Sequence, residues 1–130
     1  MTVQITSDQS TDSGAAGVLA EVRPVFNTGR TRSREWRAEQ LRAIERMCDE
    51  SEPEIAEALA SDLGRSSFEA WLGDVGSTKA EAAYARKHLR KWVKPQRQGL
   101  PLSQRPGRAW VQYDPLGVIL VIGPWNYPFY

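Results

Sequence analysis

The sequence predicts an α/β fold in which amphipathic helices come first and a pair of β-strands follows. Three observations predict it. Apolar residues recur at helical spacing from about residue 15 to residue 93, punctuated by Ser-x-x-Glu starts and glycine stops. Ala109 to Tyr113 then alternates in the manner of a half-exposed strand. Finally, Val118 to Ile122 is an unbroken apolar run with no polar face, the pattern of a strand covered on both sides as in a parallel sheet.

Each element has its own justification. Residues 1–13 are rich in Thr, Ser, Asp and Gln, contain little to bury, and are expected to be a mobile tail. Val18, Leu19, Val22, Val25 and Phe26 form the stripe of a first helix, in which Pro24 removes a backbone hydrogen bond and predicts a kink or an early end. Gly29 follows as a stop. Arg37, Leu41, Ile44 and Met47 with Cys48 give a second helix over Ser33–Asp49. Ser51 and Glu54 read as a capping box opening a third, with Ile55, Leu59 and Leu63 as its seam and Gly64 as its end. A second box, Ser66 and Glu69, opens the longest helix, with a stripe of Phe68, Trp71, Leu72, Val75, Ala82, Leu89, Trp92 and Val93. Between Pro95 and Gly107 the prolines and glycines predict an extended connector.

Composition bounds the function. A chain of 130 residues, 41% hydrophobic and 25% charged, is that of an ordinary globular protein, and its net charge of +1 is unevenly spread. Residues 86–130 hold eight Lys or Arg against one acid, while residues 1–85 hold nine against fifteen, so the halves attract. The basic run from Arg86 to Arg108 has only Trp92 interleaved and lacks the stacking aromatics of a nucleic-acid face, so no nucleic-acid partner is expected. No segment approaches a membrane span. Cys48, the single cysteine, lies in a helical pattern and reads as packing rather than as a nucleophile. It cannot form an internal disulfide, and with no basic-then-apolar leader in view a cytoplasmic setting is expected. The one histidine, His88, has no nearby ligand and reads as a surface helix residue; no metal site is expected.

Chemistry concentrates where the apolar run stops. Gly123 and Pro124 break it, and Pro128 fixes the backbone again, so Trp125, Asn126 and Tyr127 are held between two prolines. A stiff loop at a strand end is where α/β folds place ligands and catalysis. Read from the residues alone, the loop is first of all a turn with Trp125 as a packing anchor and Asn126 chosen for turn geometry.

The words Gly117-Val-Ile-Leu-Val-Ile-Gly-Pro-Trp-Asn-Tyr-Pro-Phe129 resemble the start of the nucleotide-binding domain in the aldehyde dehydrogenase superfamily, in the wording of its class 3 branch. Phe26 to Arg32 likewise resembles that family's exit from its first helix. The resemblance implies the opening part of a Rossmann-like aldehyde dehydrogenase fold. It also implies that Asn126 contributes to the oxyanion hole for a thiohemiacetal, and that Ile122, Pro124 and Trp125 line the cleft for NAD or NADP. The implied reaction is oxidation of an aldehyde to a carboxylate through a thioester, with medium or long aliphatic and aromatic aldehydes as the expectation for class 3 relatives. The implied assembly is a homodimer.

On this reading residues 1–13 are tail, 14–95 the helical N-terminal part of the nucleotide-binding domain, 96–114 a connector with an oligomerisation strand, and 115–130 the first part of the dinucleotide-binding core. The family's phosphate-side lysine motif, cofactor glycine motif, glutamate base and cysteine nucleophile have no counterpart in these residues, so the chain reads as an N-terminal fragment, inactive alone, with an uncovered apolar strand that binds hydrophobic dyes. The alternative is a non-catalytic helical interaction module, or a decayed gene product, docking through the basic segment or the open strand edge.

Overall fold

Helix boundaries follow the capping residues. In the computed structural model, which describes residues 14–130, the helices are α1 (Ala15–Asn27), α2 (Arg34–Glu50), α3 (Glu52–Leu63), α4 (Ser67–Ala70) and α5 (Gly76–Trp92). The sequence expectation for residues 1–13 lies outside the described residues. Ser33 opens α2 by accepting the Trp36 amide at 3.1 Å, and Gly64 closes α3 in the left-handed conformation, at φ 67°. Before α4, the capping box at Ser66 and Glu69 is complete: each side chain accepts the other's backbone N–H.

Two helical expectations change. α1 runs through Pro24 to Asn27, because a proline deletes only one intrahelical bond and the ladder resumes beyond it, with the Thr28 amide reaching the Pro24 carbonyl at 3.1 Å. Ser51 makes no side-chain cap for α3. It is at once the last residue of α2's exit and the residue before α3, and at φ −111°, ψ 16° its backbone is not in the extended conformation a side-chain cap needs.

The long fourth helix is continuous from Ser67 to Trp92 but contains a π-helical turn, Trp71–Val75, between α4 and α5. In that turn the Gly76 amide reaches back five residues to the Trp71 carbonyl. A Cβ on Gly76 would sit 2.9 Å from that oxygen, so glycine lets the wider turn close.

α2 and α5 form the main helix pair. Cys48 and Ala82 are buried in this bundle, with Leu59, Ala70 and Val75 completing the small core. Charge ties the same pair together, once across the acidic and basic halves and once within the acidic half. Arg86 on α5 grips Glu45 on α2 through two bonds, at 2.6 and 3.1 Å, and Lys79 pairs with Asp49. The predicted stripe of the long helix is buried only in part. Val75 and Ala82 are covered, whereas Phe68, Trp71, Leu72 and Trp92 stay exposed although α2 packs on α5 and α3 on the turns before it. His88 is half-buried rather than free on the surface, packed between the rings of Tyr84 and Trp92 at 4.0 and 5.9 Å.

The sheet also differs in its parts. Strand β1 (Gln96–Gln98) pairs antiparallel with β2 (Ala109–Val111), in the register Gln96 to Val111, Arg97 to Trp110 and Gln98 to Ala109. The segment expected to be a connector thus supplies a strand, and a 3₁₀ turn at Leu102–Gln104 lies between the two. β2 is shorter than Ala109 to Tyr113 and does not alternate, since both Trp110 and Val111 are exposed. Val118 to Ile122 is not a strand and is not buried; Ile122 is 84% exposed. A strand exists only through ladder bonds to a neighbour, and among the described residues no neighbour pairs with this run. Its start is held to the helices by Gly117, whose φ of 99° brings it against the Phe26 ring of α1.

Candidate functional site

The loop after the apolar run docks on the π-helical turn, and two charged residues do the docking. Gly64 turns the chain out of α3 and the Ser66 cap starts α4, so Arg65, between them, projects from a fixed point. The π-helical turn carries Asp74, which is fully buried. Arg65 and Asp74 form an ion pair. The second arm of the Arg65 fork donates to the backbone carbonyl of Asn126, and its guanidinium lies 4.5 Å over the Tyr127 ring. The other Asp74 oxygen accepts the amides of Phe129 and Tyr130, at 3.3 Å each. One buried carboxylate and one arginine therefore hold both ends of Asn126–Tyr130.

Packing repeats the message. A Cβ on Gly73 would lie 3.0 Å from the Tyr127 ring, so glycine in the π-helical turn makes room for that ring. Within the loop the Tyr127 amide donates to the Pro124 carbonyl at 3.2 Å, forming the turn that presents Trp125 and Asn126. Asn126 is exposed, and among the described residues its carboxamide makes no hydrogen bond, so the side chain is free for a ligand while its backbone is tethered.

Ile122, Pro124 and Trp125 are contiguous with it and exposed, Trp125 at 90%. They lie on the open surface rather than in a closed cleft. Exposed apolar side chains of this kind offer flat contact area and no charged donor. Among the described residues no group of three or more His, Cys, Asp or Glu is placed to hold a metal ion. Among the described residues no helix is long and apolar enough to cross a membrane. Cys48 lies in α2, buried, and burial first, then the Asp49 charge, pushes its thiol above its ordinary value, which leaves it a poor nucleophile.

Reading the sequence for chemistry found the loop and missed its anchors. Neither Arg65 nor Asp74 belongs to a motif that the sequence analysis singles out. The available signal was an acid inside an apolar stripe, Trp71-Leu-Gly-Asp-Val-Gly76, where two glycines mark a departure from regular helix.

Comparison with known proteins places the chain. The model of the aldehyde dehydrogenase family matches residues 2–130. Aldehyde dehydrogenase family 3 member I1, chloroplastic, of Arabidopsis thaliana is 42% identical over 128 residues, which covers 96% of this chain and 23% of the relative. The rat family 3 member B1 is 37% identical over 110 residues, covering 85% and 24%. A substrate-bound Staphylococcus aureus AldH superposes with a TM-score of 0.82 at 34% identity, again over 85% of this chain and 24% of that one. The chain thus spans about a quarter of the relatives it matches. These relatives also correct the cytoplasmic expectation, since one so similar carries a chloroplastic name; a lone cysteine reports that no internal disulfide forms and not which compartment holds the protein. Because the match runs through the helices and the Pro115–Tyr130 segment alike, the chain belongs to the aldehyde dehydrogenase family, a family of oxidoreductases that in general depend on NAD or NADP.

Proposed function

We propose that these residues are the N-terminal portion of an NAD(P)-dependent aldehyde dehydrogenase in which Asn126 is an oxyanion donor. Residues 14–95 are its helical N-terminal part, 96–114 a connector with the subunit-joining strand of a homodimer, and 115–130 the opening of the dinucleotide-binding core. The observation that carries the reading is Asn126 itself: its carboxamide is exposed and unengaged among the described residues, while its backbone carbonyl is tied to Arg65.

The chemistry requires such a donor. When a thiolate adds to an aldehyde, the carbonyl π electrons move onto oxygen. A neutral amide N–H already aimed at that oxygen stabilises the charge without a proton transfer or a reorganisation, worth on the order of 3 kcal/mol of barrier. The nicotinamide, when bound, supplies the acceptor for the aldehyde hydride. This chain's own part is to offer the Asn126 N–H and to lay Ile122, Pro124 and Trp125 against the flat faces of the cofactor, excluding water there. Cys48 is buried and cannot supply the thiolate, so residues 1–130 alone are expected to turn over no aldehyde.

In a full-length dehydrogenase carrying this sequence, Asn126→Ala is expected to lower kcat about a hundredfold or more with little change in cofactor affinity. Unchanged turnover removes Asn126 from the mechanism.

A further inference from the structure

We propose that Arg65 and Asp74 are positioning residues for Asn126, forming a clamp from the π-helical turn that sets where its carboxamide points. The proposal rests on the reading of Asn126 as the oxyanion donor. Two prolines limit the backbone of the loop, but they do not fix it relative to the helices; within the loop, among the described residues, the one backbone bond is that between Tyr127 and Pro124. Orientation relative to the body of the protein comes from the Arg65 bond to the Asn126 carbonyl and the Asp74 bonds to the Phe129 and Tyr130 amides. Arg65 also stacks over Tyr127, and Gly73 leaves the space that this ring fills. The contacts thus bracket Asn126 on its own carbonyl and on the residues that follow it.

The residue types suit the task. Only a guanidinium fork reaches a carboxylate with one arm and a carbonyl with another while stacking on a ring; a lysine is a single point charge and keeps at most part of this set. Asp74 is fully buried and spends one oxygen on Arg65 and the other on the loop amides, so the ion pair and the loop are held by one group. The wider turn brings Asp74 to this face, and its glycines, Gly73 and Gly76, are the positions where a Cβ would crowd Tyr127 and the Trp71 carbonyl. A π-helical turn with this arrangement has a purpose beyond helix continuity.

The test is a mutant cycle in a full-length dehydrogenase carrying this sequence. Arg65→Lys is expected to lower kcat by about tenfold to a hundredfold, the scale of an oxyanion donor misplaced by about an ångström, with the cofactor KM unchanged. On an Asn126→Ala background the same change is expected to have no further effect, because a clamp that acts only through Asn126 has nothing left to position. Multiplicative losses in the double variant overturn the proposal, as does full turnover in Arg65→Lys when Asn126→Ala is impaired. Full turnover in Asn126→Ala instead overturns the oxyanion reading on which the clamp depends. Where Arg65→Lys fails to fold, Asp74→Asn is carried through the same cycle. A second measurement, amide hydrogen exchange in the same full-length dehydrogenase, is expected to show faster exchange at Phe129 and Tyr130 in Asp74→Asn; unchanged exchange at both overturns the clamp.

Discussion

Asp74 and Thr78 lie one helical turn apart and show how differently a buried polar group fares with and without partners. Asp74 has Arg65 on one oxygen and two loop amides on the other, so its burial is compensated. The Thr78 hydroxyl is buried and has no hydrogen-bond partner among the described residues. An unsatisfied buried hydroxyl costs about 1–3 kcal/mol, and replacing it by a methyl of the same shape recovers that cost. Thr78→Val is therefore expected to raise the thermal midpoint of the helices, followed by circular dichroism; a lower midpoint shows that the hydroxyl is bonded in solution. At this same scale the sequence reveals only half of the candidate site. Asn126 stands out because two prolines frame it, but Arg65 has no local pattern, since its partners are 9 and 61 residues away.

Helix starts provide a controlled comparison between two similar motifs. Ser66-Ser-Phe-Glu69 and Ser51-Glu-Pro-Glu54 present the same spacing. Only Ser66 has the extended backbone, φ −68° and ψ 157°, that lets its oxygen accept the Glu69 amide, and Glu69 returns the bond. Ser66→Ala is accordingly expected to cost about 1 kcal/mol, whereas Ser51→Ala should change stability by no more than about 0.5 kcal/mol, as at an ordinary surface position. Equal losses in urea unfolding of the two variants contradict this distinction. The motif was legible in both places. What separates them is whether the preceding helix has already stopped: α2 ends directly against α3, while Gly64 and Arg65 leave a gap before α4.

Across the whole molecule, two oppositely signed pairs hold α2 to α5. Arg86, by hydrogen bonding first and charge second, draws the Glu45 carboxyl below its ordinary value of 4.5. A depressed acid contributes stability above that value and loses it as pH falls through the folded pKa. Asp49, mainly by its hydrogen bond, raises the Lys79 ammonium above 10.5, so that contribution is present below this value and lost as pH rises through the folded pKa. The helix pair is therefore expected to be most stable between about pH 4.5 and pH 10.5, the two ordinary values. Glu45→Gln should flatten the acid side of the thermal midpoint profile and Lys79→Met the alkaline side. An acid limb unchanged by Glu45→Gln shows that other carboxylates dominate it.

Local order was determined by the amino-acid sequence itself: helical periodicity, the Ser66 cap, the Gly64 stop and the rigid Gly-Pro-Trp-Asn-Tyr-Pro loop all depend on neighbours within a few residues. Even Pro24, which argued for a break, cost one bond inside an otherwise intact helix. Tertiary structure decided what depends on distant partners. It paired Gln96–Gln98 with Ala109–Val111, left Val118–Ile122 without a ladder neighbour among the described residues, and brought Arg65 and Asp74 to residues 126–130. A helix completes its hydrogen bonds within itself, whereas strands and charged anchors are finished by whichever segment of chain comes to lie beside them.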